Sequence, residues 1–417
     1  MKERKVRIPT ALMLMVLAVV GTFNITYFTA TEYYNHLLDD LQAQETRYKK
    51  LKEVTDIVDK YYIGDYEESD ALELAAAGYV AGLGDVWSGY YTAEQTAAIE
   101  EDDANQYVGI GVSYGVQPEN LYEITSVTPG GPADKAGMLP GDRLLTANGV
   151  DVTTLADPDE LVGLVKGEIG TVVTITVDRA GEELTFQITR DTIIVYSVTS
   201  SLLENNVGYI AISDFNSNVE KEFASHMSSL TAQGAKAFVF DLRNNPGGFV
   251  SVMHRMLDSL LPEGPVITMV DKAGNEIPLT SDAACVEVPM AVITNAYSIS
   301  AAEFFAAALQ EYDMATVVGE KTGGKGYSQQ TFVLSDGSSV NLSTTRYYTP
   351  KGNSLAETGV TPDRAVELSM EDLNLLLSGK LDPAEDEQLQ AALQTVVSKI
   401  PVEEAPTEPA TEAATAE

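Results

Sequence analysis

Cysteine is almost missing from this 417-residue chain, and the single Cys285 excludes an intrachain disulfide and a multi-cysteine metal centre. It stands before an apolar, strand-like run, where a lone cysteine is expected to fill core. Histidine is nearly as scarce. His36, His226 and His254 are far apart, and none sits in an H-E-x-x-H pattern, so a zincin is disfavoured. Positive charge is thin as well: 26 Lys and Arg stand against 62 Asp and Glu, a formal net charge of −36. Nucleic-acid binding draws on clustered Lys and Arg, so that class is disfavoured, and the acidity reads as solubility. The Gly-x-Ser-x-Gly elbow of many serine hydrolases is absent, which argues against a lipase or esterase. What is there is a globular composition, 44% hydrophobic, in a chain longer than one average domain.

The amino terminus is organised by charge. Residues 1–7 carry Lys2, Arg4, Lys5 and Arg7 against Glu3, and residues 8–31 carry no charge. About 20 apolar residues suffice to span a bilayer. The basic flank is expected to stay cytoplasmic, which places the rest of a single-pass cell-membrane protein outside the cytoplasm. A cleaved signal peptide is the rival reading. Its cleavage site is poor, since Phe28-Thr29-Ala30 offers no A-x-A, and Tyr27 and Phe28 suit a membrane interface. An uncleaved anchor is therefore expected. Residues 32–104 read as a helical region. Leu51, Val54, Ile57, Val58 and Tyr61 recur at helical spacing. This helix is either a juxtamembrane stalk or an arm against a second protomer, which leaves a homo-oligomer open. Residues 70–83 and 92–100 read as further helices around an aromatic turn, GDVWSGYY, at 84–91.

Residues 105–190 change character. Glycines interrupt a strand-like YVGIGVSY at 107–114. Residues 121–127 and 171–178 alternate as strands do, and Asn148-Gly149 marks a hairpin. Pro132 opens a short helix and residues 157–166 form another. This pattern resembles a PDZ domain. In that family a glycine-flanked loop captures a chain-terminal carboxylate while the peptide adds as a strand. By the resemblance the loop falls on Gly109, Ile110, Gly111 and Val112. Residues 191–400 alternate strands and helices, as a layered α/β core does. Residues 401–417 are almost wholly Pro, Ala, Thr and Glu, and are expected to be a disordered acidic tail.

Candidate chemistry gathers in residues 294–330. Ser300 stands at the start of a helix over 301–311, a common capping position for serine. The Ala301 N–H is an orphan donor there, and the helix dipole favours negative charge beside it. A second donor is expected from the Asn245-Pro246-Gly247-Gly248 turn, through Gly247 or Gly248, because glycine permits close approach. No histidine lies in the stretch, so the candidate base is Lys325 in GGKGYSQQ. A lysine amine is protonated at neutral pH and becomes a base only if burial disfavours its charge. Gln329 is placed to direct it. On composition alone Lys325 reads as a solvated loop lysine. Ser298 competes as nucleophile and Lys321 as base, while Glu303 is expected to brace the loop. Gly319-x-x-x-x-Gly324-Lys325 also fits most of a phosphate-binding P-loop, but lacks its Ser or Thr.

SISAAE at 298–303, GEKTGGKGYSQ at 319–329, DLRNNPGG at 241–248 and the PDZ-like segment, in this order of domains, resemble the C-terminal processing peptidases, or tail-specific proteases. The likeness runs from about residue 61 to 368, plus the closing helix at 382–399. It implies an α/β, crotonase-like layered protease core with an inserted PDZ-like β-rich domain. It implies Ser300 as nucleophile, Lys325 as general base, Gln329 as the group orienting the lysine, and Ala301 with Gly247 or Gly248 as oxyanion donors. No metal or organic cofactor is implied. The partners are polypeptide substrates held by their C-termini, and the resemblance implies activity gated by substrate. Tyr297 and Ile299 depart from the family's small residues and are expected to narrow the cleft. The alternative is a catalytically silent PDZ-type protein that binds polypeptide C-termini at the membrane.

Overall fold

The computed structural model describes residues 8–117, 121–155 and 157–401, with backbone alone at 34–45, 47 and 117. The basic segment 1–7 and the tail 402–417 lie outside the described residues. The chain divides into two compact units, residues 1–72 and 73–417. In the first, the apolar run and the stalk are one unbroken helix, α1 (Ile8–Tyr61). Its segment Ile8–Tyr33 contains an 18-residue window with a mean hydropathy of 2.0 and is long and apolar enough to cross a membrane, a test that a signal sequence near the N-terminus also passes. A second helix, α2 (Glu68–Ala81), follows, two residues earlier than the sequence predicts.

The aromatic turn holds a short strand, β1 (Gly89–Tyr91), before α3 (Ala93–Asp103). Thr92 caps α3, its hydroxyl accepting from Gln95 N–H while the Gln95 side chain accepts from Thr92 N–H. The glycine-interrupted run then splits into β2 (Gln106–Gly109) and β3 (Val112–Gln117). The β-rich insert continues with β4 (Leu121–Val127), α4 (Pro132–Ala136), β5 (Arg143–Ala147), β6 (Val150–Asp151), α5 (Pro158–Val165), β7 (Val172–Arg179) and β8 (Glu182–Thr189). Its sheet runs β3-β4-β5-β7-β8, with β6 beside β5. Alternation buries Tyr122 and Ile124 of β4 and Val173, Ile175 and Val177 of β7 in a core of the insert's own. The strand leaving the insert, β9 (Asp191–Ile194), pairs antiparallel with β2, so both connections run through one two-stranded stem.

The larger core opens with β10 (Val198–Leu203), β11 (Val207–Ile212), α6 (Val219–Ala232), β12 (Ala237–Asp241) and α7 (Val250–Asp258). A hairpin follows, β13 (Gly264–Asp271) and β14 (Glu276–Ser281), then β15 (Met290–Thr294), α8 (Ala301–Glu311) and β16 (Ala315–Gly319). The remaining elements are β17 (Tyr327–Val333), β18 (Ser339–Tyr348), β19 (Arg364–Ala365), α9 (Met370–Leu377) and α10 (Glu387–Val397). The central sheet has the order β10-β11-β12-β15-β16-β19, parallel except for β10. β12 and β15 are buried along their whole length, because helices cover both faces. Phe238, Phe240, Met290 and Val292 face α6, α7 and α8, whereas Val239, Ala291 and Ile293 face α10.

A second sheet, β1-β18-β13-β14 with β17 on β18, packs on the same helices; Phe304 of α8 meets Tyr347 of β18 at 5.0 Å between ring centroids. β1 is a strand only through its pairing with β18, Gly89 opposite Asn341. Cys285 is half-buried in the loop before β15 rather than core.

Candidate active site

Ser300 sits at the junction between β15 and α8 with φ 59° and ψ −120°. A non-glycine residue held there costs roughly 1–3 kcal/mol, so its surroundings must impose it. They do. Ile299 N–H donates to Asn245 O at 2.9 Å, tying the loop to the Asn-Pro-Gly-Gly turn. Gly247, at φ 102°, approaches so closely that a Cβ there would stand 2.8 Å from Ser300 Cβ and 3.1 Å from Ala301 N. The strained strand-turn-helix corner thus exists without the Gly-x-Ser-x-Gly pattern. Ser298, the competing nucleophile, is spent on structure: wholly buried, it donates to Leu242 O at 2.8 Å and accepts from Asn295 N–H at 3.0 Å.

Two backbone donors beside Ser300 are open. Among the described residues neither Ala301 N–H nor Gly248 N–H has an acceptor. Gly247 differs from expectation, since its N–H already donates to Asn245 Oδ1 at 2.8 Å. The Asn245 side chain shapes the turn by that bond and so uses up the donor.

Glu303 joins the serine to the lysine loop. Its carboxylate is fully buried one turn into α8. Oε2 accepts from Ser300 N–H and Lys325 N–H, each at 2.8 Å. Oε1 accepts from the Thr322 hydroxyl at 2.6 Å and Gly324 N–H at 2.7 Å. Two of the loop's glycines answer to geometry: Gly324 has φ 85°, and a Cβ on Gly326 would stand 2.5 Å from Ala356 N. The expectation that Glu303 braces the loop therefore has a concrete form.

Lys325 is half-buried, and burial pushes its pKa down while the charges of Glu303 and Asp85 oppose the shift. Its Nζ lies 4.7 Å from the centroid of the Trp87 ring. Among the described residues the Ser300 hydroxyl and the Lys325 amine make no hydrogen bond to each other. Gln329 does not reach the amine: its Nε2 donates to Ser343 Oγ at 3.0 Å and Tyr327 O at 3.2 Å, because it follows a bulge in β17. Lys321, the competing base, is exposed. The phosphate-loop reading is overturned, since the chain after Lys325 enters β17 and no helix begins there to face a phosphate.

Sequence reasoning missed Trp87 and Asp85 against the lysine. The only signal was a cluster of aromatics in a turn, which carries no hint of a partner so distant in the chain.

In the insert, Gly109 ends β2 and Val112 opens β3. Gly111 has φ 77°, and the Ile110 side chain is buried in the insert's core. The Ile110 and Gly111 carbonyls accept from Ala133 and Thr128, each at 2.9 Å. Among the described residues β3 is an edge strand, paired only with β4. Tyr114 of β3 donates to Pro158 O at the start of α5, at 3.2 Å.

Comparison with known proteins follows this division. The model of peptidase family S41 matches residues 206–366, and a PDZ-domain model matches residues 123–179. A carboxyl-terminal-processing protease of Synechocystis is 33% identical over 317 residues, which is 74% of this chain and 73% of that one. The carboxy-terminal processing protease CtpA of Bacillus subtilis is 32% identical over 329 residues, 78% of this chain and 70% of that one. A solved structure from Bacteroides fragilis, described as a candidate S41 protease, shares the fold. Its TM-score is 0.54 at 19% identity, over 82% of this chain and 94% of that one.

Proposed function

Because this chain belongs to the carboxyl-terminal processing proteases of peptidase family S41, and is a serine-type peptidase with a PDZ domain, we propose that Ser300 and Lys325 form its catalytic dyad. The observation that carries the assignment is the Glu303 carboxylate. It binds the backbone of a strained serine and the backbone of a half-buried lysine at once, beside two open N–H donors.

The chemistry follows from those groups. The neutral Lys325 amine takes the Ser300 proton as Oγ attacks the substrate carbonyl carbon. Ala301 N–H and Gly248 N–H receive the oxyanion, aided by the α8 dipole. The ammonium then protonates the departing amine. A water, giving its proton to Lys325, hydrolyses the acyl-enzyme. In the arrangement described the amine is not hydrogen-bonded to Ser300, so the lysine has still to close that contact, and Gln329 has to turn from Ser343 to direct it. The layering of two sheets around α6, α7 and α8 is in keeping with a crotonase-like core.

The PDZ domain supplies the substrate's entry. An extended chain adding to the open edge of β3 would place its terminal carboxylate beside Gly109–Val112. Tyr297, 57% exposed, and the half-buried Ile299 border Ser300 and narrow the space for substrate side chains. The apolar Ile8–Tyr33 segment supports a single-pass anchor in the cell membrane with the peptidase outside the cytoplasm; sequencing the mature N-terminus separates anchor from signal peptide.

Ser300→Ala is expected to abolish peptide cleavage, and a fluorophosphonate label is expected to map to Ser300. Full activity in that variant, or a label on another serine, would remove the assignment. A silent receptor for C-termini would bind peptides without cleaving them or taking the label.

A further inference from the structure

The Lys325 amine rests on a segment outside the motifs that brought attention to it. Residues 85–88 precede β1, which is held by its pairing with β18. Within that turn the Asp85 carboxylate is oriented from both sides: Oδ1 accepts from Trp87 N–H at 3.1 Å and Oδ2 from the Ser88 hydroxyl at 2.6 Å. Ser88 Oγ in turn accepts from Ser343 N–H at 3.0 Å, and Ser343 Oγ accepts from Gln329 Nε2 at 3.0 Å. The partners of the lysine and of Gln329 thus belong to one connected assembly. Trp87 presents its ring to Lys325 Nζ at 4.7 Å from the centroid.

We propose that the Asp85–Ser88 turn is a seat for the protonated Lys325 side chain, with Trp87 and Asp85 as positioning residues that hold the ammonium away from Ser300 until it gives up its proton. The proposal rests on the reading of Lys325 as general base. Its physical content is a difference between two protonation states. An indole face attracts an ammonium electrostatically, whereas a neutral amine lacks the charge that makes the interaction. A carboxylate discriminates in the same sense.

Two negative charges act on the amine, those of Glu303 on α8 and Asp85 in the turn, and among the described residues neither forms an ion pair with it. Both Glu303 oxygens are already filled by four donors, so Asp85 is the one attached to the seat itself. Desolvation pushes the Asp85 carboxyl up, but the hydrogen bonds from Ser88, Ser343 and Trp87, with the charge of Lys325, outweigh it and keep the group below its usual range. Asp85 is therefore ionised wherever the peptidase would work. Leaving the seat and losing the proton are linked, and the seat opposes both.

The test uses the full-length chain and a peptide substrate, with kcat/KM followed against pH. Asp85→Asn keeps the shape of the turn and removes the charge. Trp87→Phe keeps an apolar ring with a weaker quadrupole. Each is expected to move the acid limb of the profile to lower pH, by about half a pH unit. A limb that stays in place in both variants would overturn the seat, since a merely structural turn changes rate without moving the limb.

A second readout is independent of turnover. Trp87 is the chain's one tryptophan, so its emission reports the seat directly. The emission is expected to titrate with pH, and Lys325→Met is expected to remove that transition. Identical emission at every pH in both proteins would overturn the seat. If Lys325→Met still cleaves peptide, the base assignment fails while the emission continues to decide the seat. If it is inactive and the wild-type emission does not titrate, only the seat fails.

Discussion

Lys325 shows how one side chain can be a liability to the fold and, as the proposed general base, a requirement of the chemistry. Burial depresses its pKa, so the folded state binds its proton less readily than the unfolded chain does. Where the unfolded state holds more protons, stability rises with pH. The penalty is therefore full below the folded pKa and fades as pH climbs from there toward lysine's ordinary value. Lys325→Met, which keeps length and apolar bulk, is expected to abolish cleavage while raising the midpoint of thermal unfolding at neutral pH. A lowered midpoint would show that the charge is well satisfied and the desolvation argument wrong. The same residue illustrates the limit of motif reading. Its identity and its neighbours in the chain mark it as a candidate base. Its contact with Trp87 depends on a turn brought in by β1.

At the scale of elements, the Asn245–Gly248 turn, which carries one of the proposed oxyanion donors, is braced from the far face of the central sheet. Arg243, in the DLRNNPGG run, is buried and reaches Asp241 Oδ2 at 2.5 Å and Asp386 Oδ2 at 2.8 Å. Desolvation works against its charge, but the two carboxylates outweigh it and raise its pKa. Asp386 also caps α10, accepting from Gln388 and Leu389 N–H. One ionic cluster thus fastens the last helix to the strand end that leads into Asn245–Gly248. Removing one partner of a buried pair leaves an uncompensated charge, which costs about 3–5 kcal/mol. Asp386→Ala is expected to lose stability on that scale in urea unfolding, with activity falling alongside as the turn loosens. A loss below about 1 kcal/mol would place the cluster with surface ion pairs.

Elements with strong local signals were legible. β12 reads as a buried strand and β15 as a strand from their apolar runs, and α8 as a helix from its Ala- and Phe-rich length. β1 was read as a turn and the start of β17 as loop or strand, because each owes its strand character to pairing with β18. The hairpin β13–β14 escaped notice for a related reason: its glycine, prolines and charges mask the alternation that pairing restores.

For the whole molecule, the PDZ domain has a core of its own and a two-stranded stem, so the proposed capture of a C-terminus would fall to a different part of the chain from cutting. Charge-assisted hydrogen bonds from backbone N–H groups to a carboxylate are the stronger kind. Amidating the C-terminus of a substrate is expected to raise KM roughly tenfold, equivalent to losing about 1.4 kcal/mol of binding. Unchanged kinetics with amidated and free peptides would reject carboxylate capture and leave the PDZ domain another role.

Residue type and order along the chain were enough to determine the family and the presence of an apolar helix, a PDZ segment and an α/β core, and to nominate a small set of side chains for acyl-transfer chemistry. Those properties are local, or repeat at short period, and so survive in one dimension. Tertiary structure alone decided that Ser300 is strained, that Glu303 gathers four donors, that Gly247 has spent its N–H on Asn245, and that Lys325 lies on Trp87. Each of these is a matter of distance between groups from separate elements, and such distances exist only once the strands have paired and the helices have packed.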